Sequence, residues 1–243
     1  EVLKWFKHQK PLTPNGTARL VTSLLNSGEK SYATKLVKNI WINGNFGKKQ
    51  EAQFYRQFRQ YMTRENHIER LERLLWEEKY YPVRRMYRRI NSNYRALAEA
   101  RLTLRKMQGG VDRAIERVPT ELKNNVGLIY DRLRWRRKKG KYKSAQELLQ
   151  SQPEKPLHPL RWWRERNILI RRALHEGEPN QAYQMVKNHR LGEAHKPGYL
   201  EAEWLAGWIV LQYMEAKQLA FEHFQSGYKA SNFPISKARF AYW

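Results

Sequence analysis

Three arginine-rich strings hold the side chains best suited to chemistry in this chain: RRMYRR at 84–89, RLRWRRKK at 132–139 and LRWWRER at 160–166. A guanidinium is a planar fork matched to carboxylates and phosphates, and a neighbouring ring can stack on a sugar or a base. The side chains best placed for such contact are Arg84, Arg88, Arg134, Arg137, Trp162 and Arg164. Taken singly, Trp135, Trp162 and Trp163 read more readily as core residues with solvated arginines beside them. Lys and Arg outnumber Asp and Glu by 47 to 23, a formal charge of +24. A field of that size concentrates polyanions at the surface and leaves nucleic acid, anionic lipid and anionic cell-wall polymer all open as partners.

Catalytic and metal chemistry find little foothold. The seven histidines include no His-x-x-x-His pair, and His189 and His195 flank a predicted loop, so surface imidazoles are expected and no metal. The string GNFGKK at 44–49 resembles a phosphate loop, but its glycine spacing is too short, no Ser or Thr follows the lysine and no strand precedes it; it reads as a turn. No Gly-x-Ser-x-Gly is present. Glu99, Glu165, Glu201 and Glu203 lie in patterns rich in arginine and apolar residues, where a carboxylate could become a general acid. Pairing with an arginine one turn away is the simpler expectation. With no cysteine there is no disulfide and no thiolate chemistry, which leaves the redox compartment open. No cofactor is implied.

Helices must position these side chains, because strand signals are almost absent. With 41% apolar and 13% aromatic residues in 243, the chain can bury a substantial core. The stretch 199–224 predicts a helical hairpin: Leu200, Trp204, Trp208 and Leu211 form one apolar line and Ala202, Leu205, Ile209 and Tyr213 a second. Such a helix is wedged between layers, and Ala206 and Gly207 are small enough to admit a close neighbour. Upstream, Thr13 and Pro14 start a helix that Gly28 stops, Thr63 caps another, 96–107 ends at Gly109 and Gly110, and a long helix over 122–139 ends at Gly140. Turns at Lys79, Gly110, Gly140, Gly177 and Glu215 stand 31, 30, 37 and 38 residues apart, which are helix-pair spacings. The pattern predicts an all-α fold, an irregular solenoid of helical hairpins forming a superhelix over residues 1–235, with a compact helical bundle as the competing arrangement. No apolar run reaches the ~20 residues of a membrane helix.

Several strings resemble a known family: WINGNFGKKQE at 41–51, LLW at 74–76, YYPVRRM at 80–86, YRALAEAR at 94–101, GGVDRAI at 109–115, LRWRR at 133–137, WWRER at 162–166 and AEWLAGW at 202–208. In this order they look like the helical N-terminal region of the soluble lytic murein transglycosylases, over about residues 33–243. The resemblance implies a tetratricopeptide-like α-superhelix in an envelope enzyme of the periplasm, its signal peptide removed. A C-terminal lysozyme-like domain of that family cleaves the β-1,4 bond between N-acetylmuramic acid and N-acetylglucosamine and leaves a 1,6-anhydro end. One Glu in a Glu-Ser motif acts there as acid and then base, unlike the two-carboxylate glycosidases.

This chain contains no Glu-Ser pair, so the catalytic Glu is expected downstream, and the segment alone is expected to be inactive. The string SKARFAYW at 236–243 would open the helix leading to that catalytic domain. The implied partners are glycan strands with acidic stem peptides, together with proteins of cell-wall synthesis or division. Two other readings stay open. One is a nucleic-acid-binding helical repeat, against which stands the lack of a repeated base-reading pair; the other is an envelope scaffold without catalysis.

Overall fold

A computed structural model of the chain describes residues 1–243, with the side chain of Glu193 left out of the description. The described residues form fifteen α-helices and three short 3-10 turns, with no strand among them. Among the described residues no helix is long and apolar enough to cross a membrane. The chain divides into two compact units, Glu1–Leu128 and Ile129–Trp243.

The first unit contains α1 (Val2–Phe6), α2 (Pro14–Asn26), α3 (Lys30–Asn43), α4 (Lys48–Phe58), α5 (Arg64–Trp76), α6 (Tyr80–Met86), α7 (Ser92–Lys106), α8 (Val111–Glu116) and the start of α9 (Val126–Lys138). Thr13 caps α2, its hydroxyl accepting from Gly16 N–H at 3.1 Å, and Thr63 caps α5 reciprocally with Asn66, as their positions predict. One core cluster includes Leu20, Val37, Trp41, Phe54, Leu71 and Val83. α7 starts earlier than its apolar pattern suggests, because Asn91 caps it through Tyr94 N–H at 3.1 Å. The long helix predicted over 122–139 begins only at Val126. Thr120–Leu122 forms a 3-10 turn, and Asn125 accepts from Leu128 N–H at 3.0 Å, capping α9.

Four hairpin turns are built alike. An N–H donates back five residues, Glu29 to Leu24, Lys79 to Leu74, Lys141 to Arg136 and Glu178 to Ala173, at 2.9–3.0 Å. That bond closes the turn only if the residue before the donor is left-handed. Glycine supplies this at Gly28, with φ 86, and likewise at Gly140 and Gly177. The fourth such residue is Glu78 at φ 60, which is why the turn near Lys79 carries no glycine signal.

The second unit continues with α10 (Tyr142–Gln150), α11 (Pro159–His175), α12 (Pro179–Lys187), α13 (Lys196–Tyr213), α14 (Lys217–Ala230) and α15 (Pro234–Tyr242). Successive helices from α10 to α15 pack on one another, and α13 lies against both α12 and α14. This is the wedged position its two apolar lines predict. Gly207 permits the contact with α14, since a Cβ there would come within 2.6 Å of the Phe224 ring.

Candidate anion-binding site

The string 41–51 and the arginines that follow it in the fold build one site in the first unit. Glu51 on α4 is 1% exposed and meets three arginines. Arg85 donates through Nε and Nη2 at 3.0 and 2.9 Å, Arg70 through Nη2 at 3.2 Å, and Arg89 Nη1 stands 3.4 Å from Oε1 as an ion pair. Arg70 also donates to the Trp41 carbonyl and, at 3.0 Å, to that of Gly44. Its guanidinium lies 4.5 Å from the Trp41 ring and 4.9 Å from Phe46. Arg73 holds the carbonyls of Ile42 and Gly44 at 2.5 and 3.0 Å. The glycine-rich string is thus a turn held by arginines, its Gly44 carbonyl by Arg70 and Arg73 of α5 and its Phe46 carbonyl by Arg85 of α6. Burial pulls Arg70 down to about 10, against the opposing pull of Glu51.

Above this cage a cleft of about 820 Å³ opens between α4 and α6, lined by Glu51, Tyr80, Tyr81, Arg84, Arg85 and Arg88, with Lys48, Ala52 and Arg89 completing it. Four arginines and one lysine against one carboxylate give the lining a charge of +4. Arg85 and Arg89 are turned inward to Glu51, whereas Arg84, Arg88 and Lys48 are exposed. Tyr81 is 74% exposed and meets Tyr80 edge-on at 5.3 Å. Lys106 Nζ sits 3.9 Å from the Tyr80 ring, and its hydrogen bond, with that of Arg84, holds the Tyr80 phenol below its ordinary value. The cleft offers three exposed cations, of which Arg84 also donates to the Tyr80 hydroxyl at 3.5 Å, beside two tyrosines, a combination that takes up an anion carrying apolar or sugar faces.

Of the residues singled out from sequence, the structure brings Arg84 and Arg88 together in this cleft. The others lie in the second unit. Trp162 is fully buried at 0% exposure, its ring 5.2 Å from Tyr130. It is a core residue and is withdrawn from the contact set. Arg137 is half-buried and holds Glu165 bidentately, so it has a structural partner. Arg134 is half-buried and Arg164 is exposed on α11.

Sequence reasoning missed that Arg70, Arg101 and Arg166 are buried at 1, 0 and 3% exposure. A signal was available: each stands on the apolar stripe of its own helix, as in Leu97, Arg101 and Leu104 of α7. Arg101 holds Glu72 at 2.7 Å and fills the space over Gly127, where a Cβ would meet its guanidinium at 2.2 Å.

The acids and imidazoles also differ from expectation. Glu99 pairs with Arg95 one turn away at 3.0 Å, as expected, but Glu201 accepts from Trp163 Nε1 at 2.8 Å and from Asn167 at 2.6 Å. His67 is not a surface imidazole: its Nδ1 accepts from Trp41 Nε1 at 3.0 Å, and burial lowers its pKa. Glu203 on α13 is clamped between two histidines. His189 Nδ1 accepts from Leu191 N–H at 2.9 Å, so its Nε2 donates to Glu203 at 3.2 Å. His223 Nδ1 donates to the other oxygen at 2.8 Å, and Tyr183 hydroxyl meets His223 Nε2 at 3.2 Å.

Burial alone would raise the Glu203 pKa. The two histidine hydrogen bonds and their charge outweigh it and bring it down to about 2 from 4.5. A folded pKa below the unfolded one gives stability that is complete above the unfolded value and lost as pH falls toward the folded one. Between about pH 5 and pH 2 the wild type is therefore expected to lose on the order of 2 kcal/mol, allowing for solvent screening, that Glu203→Gln does not lose. Urea unfolding of both proteins across that range measures the difference, and parallel curves would refute the assignment.

Among the described residues no group of three or more His, Cys, Asp or Glu side chains is placed to hold a metal ion. No protein-family model matches the chain, and no curated protein and no solved structure matches it.

Proposed function

We propose that this chain is the superhelical scaffold and peptidoglycan-binding part of a soluble lytic murein transglycosylase of the periplasm. The observation that carries the binding half is the cleft whose lining sums to +4 and which exposes Arg84, Arg88 and Lys48 beside Tyr80 and Tyr81. Stem peptides present free carboxylates to such cations, and sugar faces pack on exposed rings. The enzymatic half is supported by the ordered strings at 41–51, 80–86, 94–101 and 202–208, and by an all-helical architecture with similarly built hairpin turns. In this reading the hairpins stack into a superhelix that presents the cleft to glycan strands, and a domain beyond these residues performs the cleavage.

Digestion of purified peptidoglycan tests this reading. These 243 residues are expected to release nothing, and the product of the complete reading frame to release 1,6-anhydromuropeptides detectable by mass spectrometry. Release of none by either protein would overturn the transglycosylase assignment. A second reading, single-stranded nucleic acid bound by the same arginines and tyrosines, is favoured by the formal charge of +24.

A further inference from the structure

A second cleft, of about 740 Å³, lies within the second unit between α10 and α12. Its walls are carboxamides: Gln146 and Gln150 from α10 face Gln181, Gln184 and Asn188 from α12 and the turn after it. Leu149, Met185 and Arg166 also line it, and Lys143, Glu147 and Arg190 complete it.

The charges there are unbalanced. Arg166 is 3% exposed and has no carboxylate partner among the described residues; it donates to the Met185 carbonyl at 2.8 Å and to Gln152 Oε1 at 2.5 Å. Its Nε, and the Gln152 amide nitrogen beside it, are buried without a hydrogen-bond partner. A buried cation that faces only neutral dipoles is destabilising until an anion reaches it. Arg190 adds to the excess. Burial first and the charge of Arg190 second pull Arg166 down to about 10, so the two guanidinium groups repel each other. Arg190 also sits at φ 55, a left-handed backbone that favours glycine, and the chain nevertheless places a long cationic side chain there. The one acid in the lining, Glu147, is exposed and stands one turn from Lys143.

We propose that this cleft binds the C-terminal carboxylate of a short peptide, with Arg190 and Arg166 supplying the positive charge and the facing carboxamides pairing with peptide N–H and C=O groups. Each Asn or Gln side chain offers both a donor and an acceptor, as a peptide backbone requires, and carboxylate capture fixes the peptide's direction. The volume suits a ligand of a few residues. This assignment does not rest on the peptidoglycan reading, since the cleft belongs to the second unit and no glycan is needed to fill it.

Isothermal titration of the full chain with trialanine, with its C-terminal amide and with acetate tests the proposal. Trialanine is expected to bind with a dissociation constant of about 1 mM or below, and its amide and acetate each at least about 10-fold more weakly. Arg190→Gly removes the guanidinium and relaxes the left-handed position, so it is expected to lose about 10-fold or more in affinity with an unchanged or higher Tm. Arg190→Lys, which keeps the charge without the planar fork, is expected to fall between the two. Equal binding of the amide, wild-type affinity in Arg190→Gly, or no trialanine heat up to about 10 mM would each overturn it.

Discussion

Glu51→Gln is expected to lower the unfolding free energy of the first unit by about 3–5 kcal/mol, a drop of roughly 10 °C or more in Tm. The substitution keeps the shape of the side chain and removes the one carboxylate shared by Arg70, Arg85 and Arg89. Arg70 suffers most, because it is 1% exposed and its other polar contacts are the Trp41 and Gly44 carbonyls. Those carbonyls fix the turn 41–47, and the turn carries Phe46 into the core against Trp41 at 6.0 Å and Phe54 at 5.1 Å. Loss of the charge should therefore loosen the aromatic cluster as well as the ion network. Urea unfolding followed by tryptophan fluorescence measures it; a loss under about 1 kcal/mol would mean that ring and carbonyl contacts alone hold Arg70.

The second large effect is on binding. Arg84→Glu with Arg88→Glu takes the cleft lining from +4 to 0 while touching two exposed side chains. Sedimentation with purified sacculi at about 50 mM salt is expected to fall at least 10-fold, with Tm within about 2 °C of wild type. The wild-type interaction should itself weaken as salt rises, since the cations are solvent-facing and screened. Unchanged sedimentation of the double variant would remove the cleft from the contact, and a large Tm loss would show that these arginines stabilise the fold instead.

Helix pairing was legible because its determinants are local. A Thr or Asn cap, an apolar period and a glycine at the left-handed position lie along one helix and its two ends, as from Thr13 to Gly28. The delayed start of α9 escaped because an asparagine can cap without a strong neighbouring pattern; the turn that the spacing placed at Lys79 is present, with Glu78 instead of a glycine in the left-handed position. The site was less legible for a different reason. Glu51 is brought to Arg85 across 34 residues and Glu203 to His223 across 20, and no periodicity encodes such pairings. Composition also misleads about the charge. Arg70, Arg101 and Arg166 count toward +24 but are interior, so the field available to a partner comes from side chains such as Arg84, Arg88 and Arg164. Trp162 shows the converse: an aromatic between arginines in sequence was entirely core in the fold.

The most direct measurement is co-sedimentation of the 243-residue chain with purified sacculi in competition with single-stranded RNA, across a salt series from about 50 to 300 mM. The expected result is retention on sacculi that excess RNA displaces only weakly and that amidation of the stem-peptide carboxylates abolishes. Complete displacement by RNA, with sacculus binding indifferent to amidation, would contradict the peptidoglycan reading and make the chain a nucleic-acid-binding helical protein.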